Sequence, residues 1–272
     1  MNSPSIRHIF IPRSGICINN YVLKNFITAT RSAMIFVTSK INSEEQFVIK
    51  MVKCHTKNNL NSTINLKEGK NQTYELLHSD YIIKCYDSFI YNNFKCNIME
   101  YARYGDLYKY IIKRKGNLSN FMKKKIISQM IKSFQFLHSN NICHRDIKPE
   151  NYLIVDEKEM KIVLSDFDFA CYITKSGKSD KFVGTTNYTA PEILEKVNYG
   201  IEVDIWSLGV SIYYVYYEKL PFEGSNKAEV EKNIKNCSYE FPFEGDEKIQ
   251  SIIRSMLVYN PEERSNIHDI NF

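Results

Sequence analysis

His144-Arg145-Asp146-Ile147-Lys148-Pro149-Glu150-Asn151 gathers an aspartate, a lysine and an asparagine into one short loop. Together they supply the charged parts that moving a phosphoryl group needs, because that chemistry rests almost wholly on positioning and electrostatics. The plainer alternative is a charged surface loop ahead of a strand. That alternative does not predict Asp146, Lys148 and Asn151 together.

Working outward toward the C-terminus, Tyr152-Leu153-Ile154-Val155 and Lys161-Ile162-Val163-Leu164 predict a pair of strands, and Ser165-Asp166-Phe167-Asp168 follows them. Next come Gly184-Thr185-Thr186-Asn187-Tyr188-Thr189-Ala190-Pro191-Glu192, Asp204-Ile205-Trp206-Ser207-Leu208-Gly209, Leu220-Pro221-Phe222 and Asn260-Pro261-Glu262-Glu263-Arg264. Toward the N-terminus, Ile126, Met130, Phe134 and Leu137 recur at helical spacing, with Ser119 placed to cap the helix. In this order the stretches resemble the catalytic loop H-R-D-L-x-x-x-N, the D-F-G metal segment, the G-T-x-x-Y-x-A-P-E ending and the D-x-W-S-x-G helix of the eukaryotic protein kinases, serine/threonine class.

The resemblance implies roles. Asp146 accepts the proton of the substrate hydroxyl, Lys148 stabilises the transferred charge, and Asn151 and Asp166 hold the metal, Mg²⁺ with Mn²⁺ as the alternative ion. Thr185 contacts Asp146 and Lys148. Arg145 is expected to be neutralised by Asp180, or by phosphate on Ser179 or Thr174, ordering the activation segment. Asp204 should bind the catalytic-loop backbone and Arg264 should pair with Glu192. Asp168 stands where the family has glycine, which removes a flexible joint and adds a carboxylate that either assists the metals or mis-coordinates one.

The first third carries a weaker signature. Tyr21 to Lys40 and Gln46 to Lys50 predict three antiparallel strands, after an irregular extension over residues 1–20. Phe47-Val48-Ile49-Lys50 resembles V-A-I-K, so Lys50 is expected to clamp the α- and β-phosphates of ATP; a solvent-facing strand lysine is the alternative. Counting back puts the nucleotide loop at Ile27, Thr28, Ala29, Thr30, Arg31, Ser32 and Ala33, with Ile35 beyond it. Thr28, Thr30 and Ala33 replace the three expected glycines, which predicts weakened ATP binding. A helix is expected over Ile64 to His78. Glu68 is its candidate partner for Lys50, with an exposed surface glutamate as the alternative. Asn97-Ile98-Met99-Glu100-Tyr101-Ala102 resembles the hinge strand, Met99 standing as gatekeeper and the backbone of Glu100 and Ala102 meeting adenine. Asp106 meets the ribose or a basic substrate residue, or else serves as helix N-terminal charge.

The chain has 272 residues, 43% hydrophobic and 25% charged, ordinary values for a folded globular protein. Seven cysteines without a C-x-x-C pair indicate neither a disulfide framework nor zinc. No apolar run approaches a membrane span, and the N-terminus makes a poor signal peptide. The net charge of +5 is spread along the chain, so Lys113-Arg114-Lys115 and Lys123-Lys124-Lys125 read as solvated faces rather than nucleic-acid patches.

The expected fold is α+β, a bilobal kinase: a five-stranded antiparallel N-lobe with one helix (about 21–99), a hinge (100–103) and a mostly helical C-lobe (104–272), with ATP in the cleft. The expected function is transfer of the γ-phosphoryl of ATP to serine or threonine on a protein substrate, Glu150 and Asp106 favouring basic residues before the target. The chain is expected to act as a monomer in cytoplasm or nucleus, without nucleic-acid or membrane partners. The alternative is a pseudokinase scaffold, to which the missing glycines and Asp168 point.

Overall fold

The computed structural model describes residues 14–29, 33–54, 77–172 and 186–272. They fall into two compact units, the first holding residues 14–29, 33–54 and 84–101 and the second residues 77–83 and those from Ala102 onward.

In the first unit, β1 (Cys17–Ile18), β2 (Tyr21–Ala29), β3 (Ala33–Lys40), β4 (Gln46–Lys53), β5 (Cys85–Tyr91) and β6 (Phe94–Glu100) form one antiparallel sheet in the order β1-β2-β3-β4-β6-β5. Alternation sends Leu23, Phe36, Ile49 and Ile98 to one core, where Tyr21 stacks on Phe89 at 6.0 Å. Asn92 and Asn93 both adopt positive φ, the conformation a tight turn between β5 and β6 demands and asparagine tolerates.

The sheet has six strands where the sequence suggested five, because it begins before Tyr21. Gly15 N–H donates to Leu23 O (2.7 Å), Leu23 N–H to Ile16 O (2.9 Å), and Ile18 is buried in the core. A two-residue strand is too short to show any period, so the sequence alone reads as an irregular extension there. Of the helix expected over Ile64 to His78, Leu77 and His78 are not helical, and the rest lies outside the described residues. Residues 77–83 group with the second unit rather than with the sheet. Leu164 N–H donates to Tyr81 O (2.8 Å) and Ile83 N–H to Leu164 O (2.9 Å), extending a strand edge in that unit.

The second unit is built on α1 (Leu107–Arg114), α2 (Asn120–Ser139), α3 (Pro191–Leu194), α4 (Glu202–Tyr217), α5 (Lys227–Lys235) and α6 (Glu247–Met256), with the short pairs β7 (Ile142–Cys143)/β10 (Cys171–Tyr172) and β8 (Tyr152–Asp156)/β9 (Lys161–Leu164). Ser119 Oγ caps α2 by accepting Met122 N–H, and Ile126, Ile127, Met130, Phe134 and Leu137 form its buried face. Helix α4 is apolar almost all round and buried accordingly. Gly209 is required there: a Cβ would stand 2.8 Å from Met256 Cβ on α6.

Lys123 corrects the reading of its basic run as a solvated face. It is 8% exposed, its Nζ donating to Tyr216 O (2.8 Å) beside Glu218 (3.1 Å), so its charge is used internally. Lys124 pairs with Asp246 and Arg114 with Glu157. No helix among the described residues is long and apolar enough to cross a membrane.

Candidate active site

The loop 144–151 is held from below by one carboxylate. Asp204, fully buried at the start of α4, accepts His144 N–H at Oδ2 (2.6 Å) and Arg145 N–H at Oδ1 (2.9 Å). Arg145 itself takes a left-handed φ of 70°, rare for a non-glycine residue and tolerated because these two bonds over-determine it. Within the loop, Lys148 Nζ donates to Asp146 Oδ2 (2.7 Å), while Asn151 Nδ2 donates to Asp146 O (2.6 Å) and Oδ2 (3.1 Å). The three residues that the sequence singled out are therefore one hydrogen-bonded group. Proline at 149 starts the 3₁₀ turn Pro149–Asn151 that brings Asn151 back over Asp146.

Burial pushes the Asp204 carboxyl up, but interaction with His138 and with His144 and its N–H outweighs it and holds the group below the usual aspartate range. A depressed carboxyl pKa stabilises the fold above the unfolded value, about 3.9, and the stabilisation disappears as pH falls through the folded value. The stability gap between wild type and Asp204→Asn, followed by urea unfolding from pH 7 to pH 2, is expected to close at the acid end. A gap independent of pH would show that Asp204 works without its charge.

Ser165 ties the next segment to this loop, its N–H and Oγ both donating to Asn151 O at 2.8 Å. Asp166 follows directly, at a left-handed φ of 61°. Phe167 buries its ring against His144, centroids 4.8 Å apart, and His144 Nε2 lies 3.0 Å from Ser165 O. Asp168 belongs to the 3₁₀ turn Phe167–Phe169 and is not among the positive-φ residues, so the backbone here does not need the glycine it replaces. Arg145 Nε donates to the carbonyl of Phe169.

In the first unit Lys50 lies on β4, opposite Ile35 on β3 and Asn97 on β6, and is only 6% exposed. That removes the solvent-facing alternative, since a lysine is kept buried only with polar partners. Much of the expected nucleotide loop is strand: Ile27, Thr28 and Ala29 end β2, Ala33 and Ile35 belong to β3, and Thr28 pairs with Ile35. The β2/β3 register runs on to Ala29 opposite Met34. Thr30, Arg31, Ser32, Glu68, Thr174, Ser179, Asp180 and Thr185 lie outside the described residues. Glu100 N–H donates to Lys84 O (2.9 Å), and Ala102 O accepts Gly105 N–H (3.2 Å).

Asp106 takes the helix-capping alternative. Its Oδ1 accepts Lys109 N–H (2.8 Å) and its Oδ2 pairs with Lys109 Nζ (3.0 Å). Glu150 is different: its Oε2 is buried with no hydrogen-bond partner among the described residues, and burial raises its pKa, with the Asp106 and Asp146 charges adding to the effect and Lys148 opposing it.

The sequence matches the family model described as a protein kinase domain over residues 24–271. The chain belongs to the protein kinase family. Among curated relatives, it is 38% identical over 64% of its length to the Dictyostelium discoideum protein named "Probable serine/threonine-protein kinase MARK-C", covering 22% of that protein. It is 28% identical over 93% of its length to "Protein kinase kin1" of Schizosaccharomyces pombe, covering 30%, and 30% identical over 95% to D. discoideum "Probable serine/threonine-protein kinase MARK-B", covering 36%. The chain thus spans between about a fifth and a third of the relatives it matches.

Membership of the kinase family implies ATP, a divalent metal and protein substrates. Two features of this kinase domain escaped the sequence reading. The strand β1 is one and the tether through Ser165 is the other, its only signal being a hydroxyl ahead of Asp166.

Proposed function

We propose that this chain is a serine/threonine protein kinase domain, laid out as an N-lobe, a hinge near Glu100 to Arg103 and a C-lobe, that transfers the γ-phosphoryl of ATP to a protein hydroxyl. The observation that carries the reading is the bonded group of Asp146, Lys148 and Asn151, fixed from below by Asp204. In this reading Asp146 is the catalytic base. Lys148, already against its carboxylate, offers its ammonium to the transferred charge. Lys50, rigid on a central strand, positions the α- and β-phosphates. The smallness of Thr28, Ala29 and Ala33 lets backbone N–H groups approach them.

Asn151 and Asp166 offer hard oxygen donors of the kind Mg²⁺ takes, and the Ser165 tether fixes their backbones together. No group of three or more His, Cys, Asp or Glu among the described residues could hold a metal by itself, which fits an ion completed by nucleotide phosphates and water. Held by Asn151 and Asp166, such an ion would supply neutralisation of the phosphate charge. The same reading has Asp180, or phosphate on Ser179 or Thr174, neutralise Arg145, has Thr185 meet Asp146 and Lys148, and has the chain act as a monomer.

Glu150 supports a preference for basic residues before the target, since a buried carboxylate oxygen lacking a partner awaits a cation. A charge-assisted hydrogen bond contributes about 1.5–3 kcal/mol. Glu150→Ala is expected to raise KM about tenfold for a peptide with arginine before the target serine and to leave an alanine-substituted peptide unchanged. Equal effects on both peptides would remove the specificity role.

The deciding experiment is transfer of radiolabelled γ-phosphate by purified protein to a mixed basic peptide, under Mg²⁺ and under Mn²⁺, beside Lys50→Met. Incorporation into serine or threonine that the variant loses supports the proposal. Background transfer by folded protein under both metals would assign the chain to scaffolds.

A further inference from the structure

All seven cysteines are thiols, and one pair stands out by its place in the fold. Cys143, the last residue before His144, is the direct cross-strand partner of Cys171 in the β7/β10 pair, with Tyr172 opposite Ile142 beside it. The other strand cysteines face non-cysteine partners: Cys17 faces Val22, Cys85 faces Met99, and Cys96 faces Met51 and Phe89. Directly opposed residues of an antiparallel pair point to the same side of the ladder. Their Cα atoms are about 4.5 or 5.5 Å apart, depending on the type of pair, and both values lie within the roughly 4.4–6.8 Å that a disulfide spans. In the reduced pair the Cys143 Sγ lies 3.9 Å from Gly200 O, so forming the bond means turning this side chain toward Cys171. The thiols also differ in access, since Cys143 is fully buried and Cys171 is partly exposed.

We propose that Cys143 and Cys171 form a modification site, at which a hydroperoxide drives an intrachain disulfide joining the strand that enters the 144–151 loop to the strand that follows Asp166-Phe167-Asp168. The proposal stands independently of the kinase activity. The Cys171 thiolate attacks the peroxide, forming an S–O bond and breaking the O–O bond, and hydroxide or alkoxide leaves. Sulfur gives up two electrons and the peroxide is reduced. The Cys143 sulfur then attacks the Cys171 sulfur, the S–S bond forms, the S–O bond breaks, and the thiol proton departs with the hydroxyl as water. The order follows from exposure: peroxide reaches Cys171, and Cys143 resolves it from within. Burial also raises the Cys143 thiol well above the ordinary cysteine range, which disfavours it as the thiol first oxidised.

The test treats the full chain with hydrogen peroxide at neutral pH, blocks remaining thiols and digests with trypsin without reduction. The expected product links residues 133–145 to residues 162–175, with a mass less by two hydrogens, and dithiothreitol removes it. In Cys171→Ser, Cys143 is expected to stay reduced. In Cys143→Ser, oxidation should halt at the Cys171 sulfenic acid, so that its dimedone adduct rises about tenfold over wild type. Should Cys143→Ser fail to fold, the wild-type digest and the partly exposed Cys171→Ser still decide. Absence of the cross-linked peptide while Cys171 is oxidised would overturn the proposal. So would oxidation of Cys143 at an unchanged rate in Cys171→Ser.

Discussion

Replacing Asp146 with asparagine is expected to lower phosphoryl transfer about a thousandfold and to leave the fold and ATP affinity nearly unchanged. The magnitude is that of a lost general base, typically 10²–10⁴-fold. Specificity of the effect comes from the geometry. Asp146 Oδ2 accepts from Lys148 Nζ and Asn151 Nδ2, and its main-chain carbonyl accepts a second bond from Asn151. An asparagine placed with its carbonyl oxygen in the Oδ2 position keeps both acceptor roles, so the loop stays closed. It has no basic site for the proton of an attacking hydroxyl. Radiometric assays at saturating peptide, with ATP titrated separately by nucleotide fluorescence, divide the two effects. Transfer within about tenfold of wild type would mean that the hydroxyl loses its proton elsewhere, and the general-base role for Asp146 would have to be abandoned.

The catalytic loop was legible because its chemistry requires particular residue types at particular offsets, and Asp204 and Arg264 were legible because their pairing partners lie in equally characteristic stretches. The capped, periodic helix α2 and the pair β8/β9 announced themselves by pattern. Other features turn on contacts that no local pattern records. Lys123 belongs to a basic run, and only the approach of Tyr216 O and Glu218 makes it internal. The membership of residues 77–83 in the second unit depends on Leu164, which lies far along the chain. The glycine-free nucleotide loop illustrates the converse. Thr28 and Ala33 were placed by register with Lys50, but whether they turn or continue as strand depends on ladder pairing with Ile35 and Val52. Asp168 likewise looked like a lost hinge, whereas a 3₁₀ turn at ordinary φ accommodates it.

Arg264→Ala is expected to destabilise the second unit by about 3–5 kcal/mol, the cost of leaving one member of a buried ion pair alone. Arg264 and Glu192 are each only 7% exposed. Two parallel bonds join them, Nη1 to Oε1 at 2.7 Å and Nη2 to Oε2 at 2.8 Å. The remaining N–H groups are spent on the carbonyls of Val258 (2.9 Å), Glu202 (2.9 Å) and Tyr259 (3.2 Å), so all five guanidinium donors are used. The guanidinium also lies 5.2 Å from the Trp206 ring centroid. One side chain thus joins the start of α3, the start of α4 and the 258–264 turn, which explains why lysine should not substitute: it has three donors and no planar fork. Urea unfolding of Arg264→Ala, Arg264→Lys and the double variant Arg264→Met/Glu192→Leu separates the contributions. The double variant should recover much of the loss, because no unpaired charge is then left inside, whereas Arg264→Lys should fall between wild type and Arg264→Ala. A loss under about 1 kcal/mol in Arg264→Ala would mean that water reaches Glu192 and that the pair is not the tie its geometry indicates.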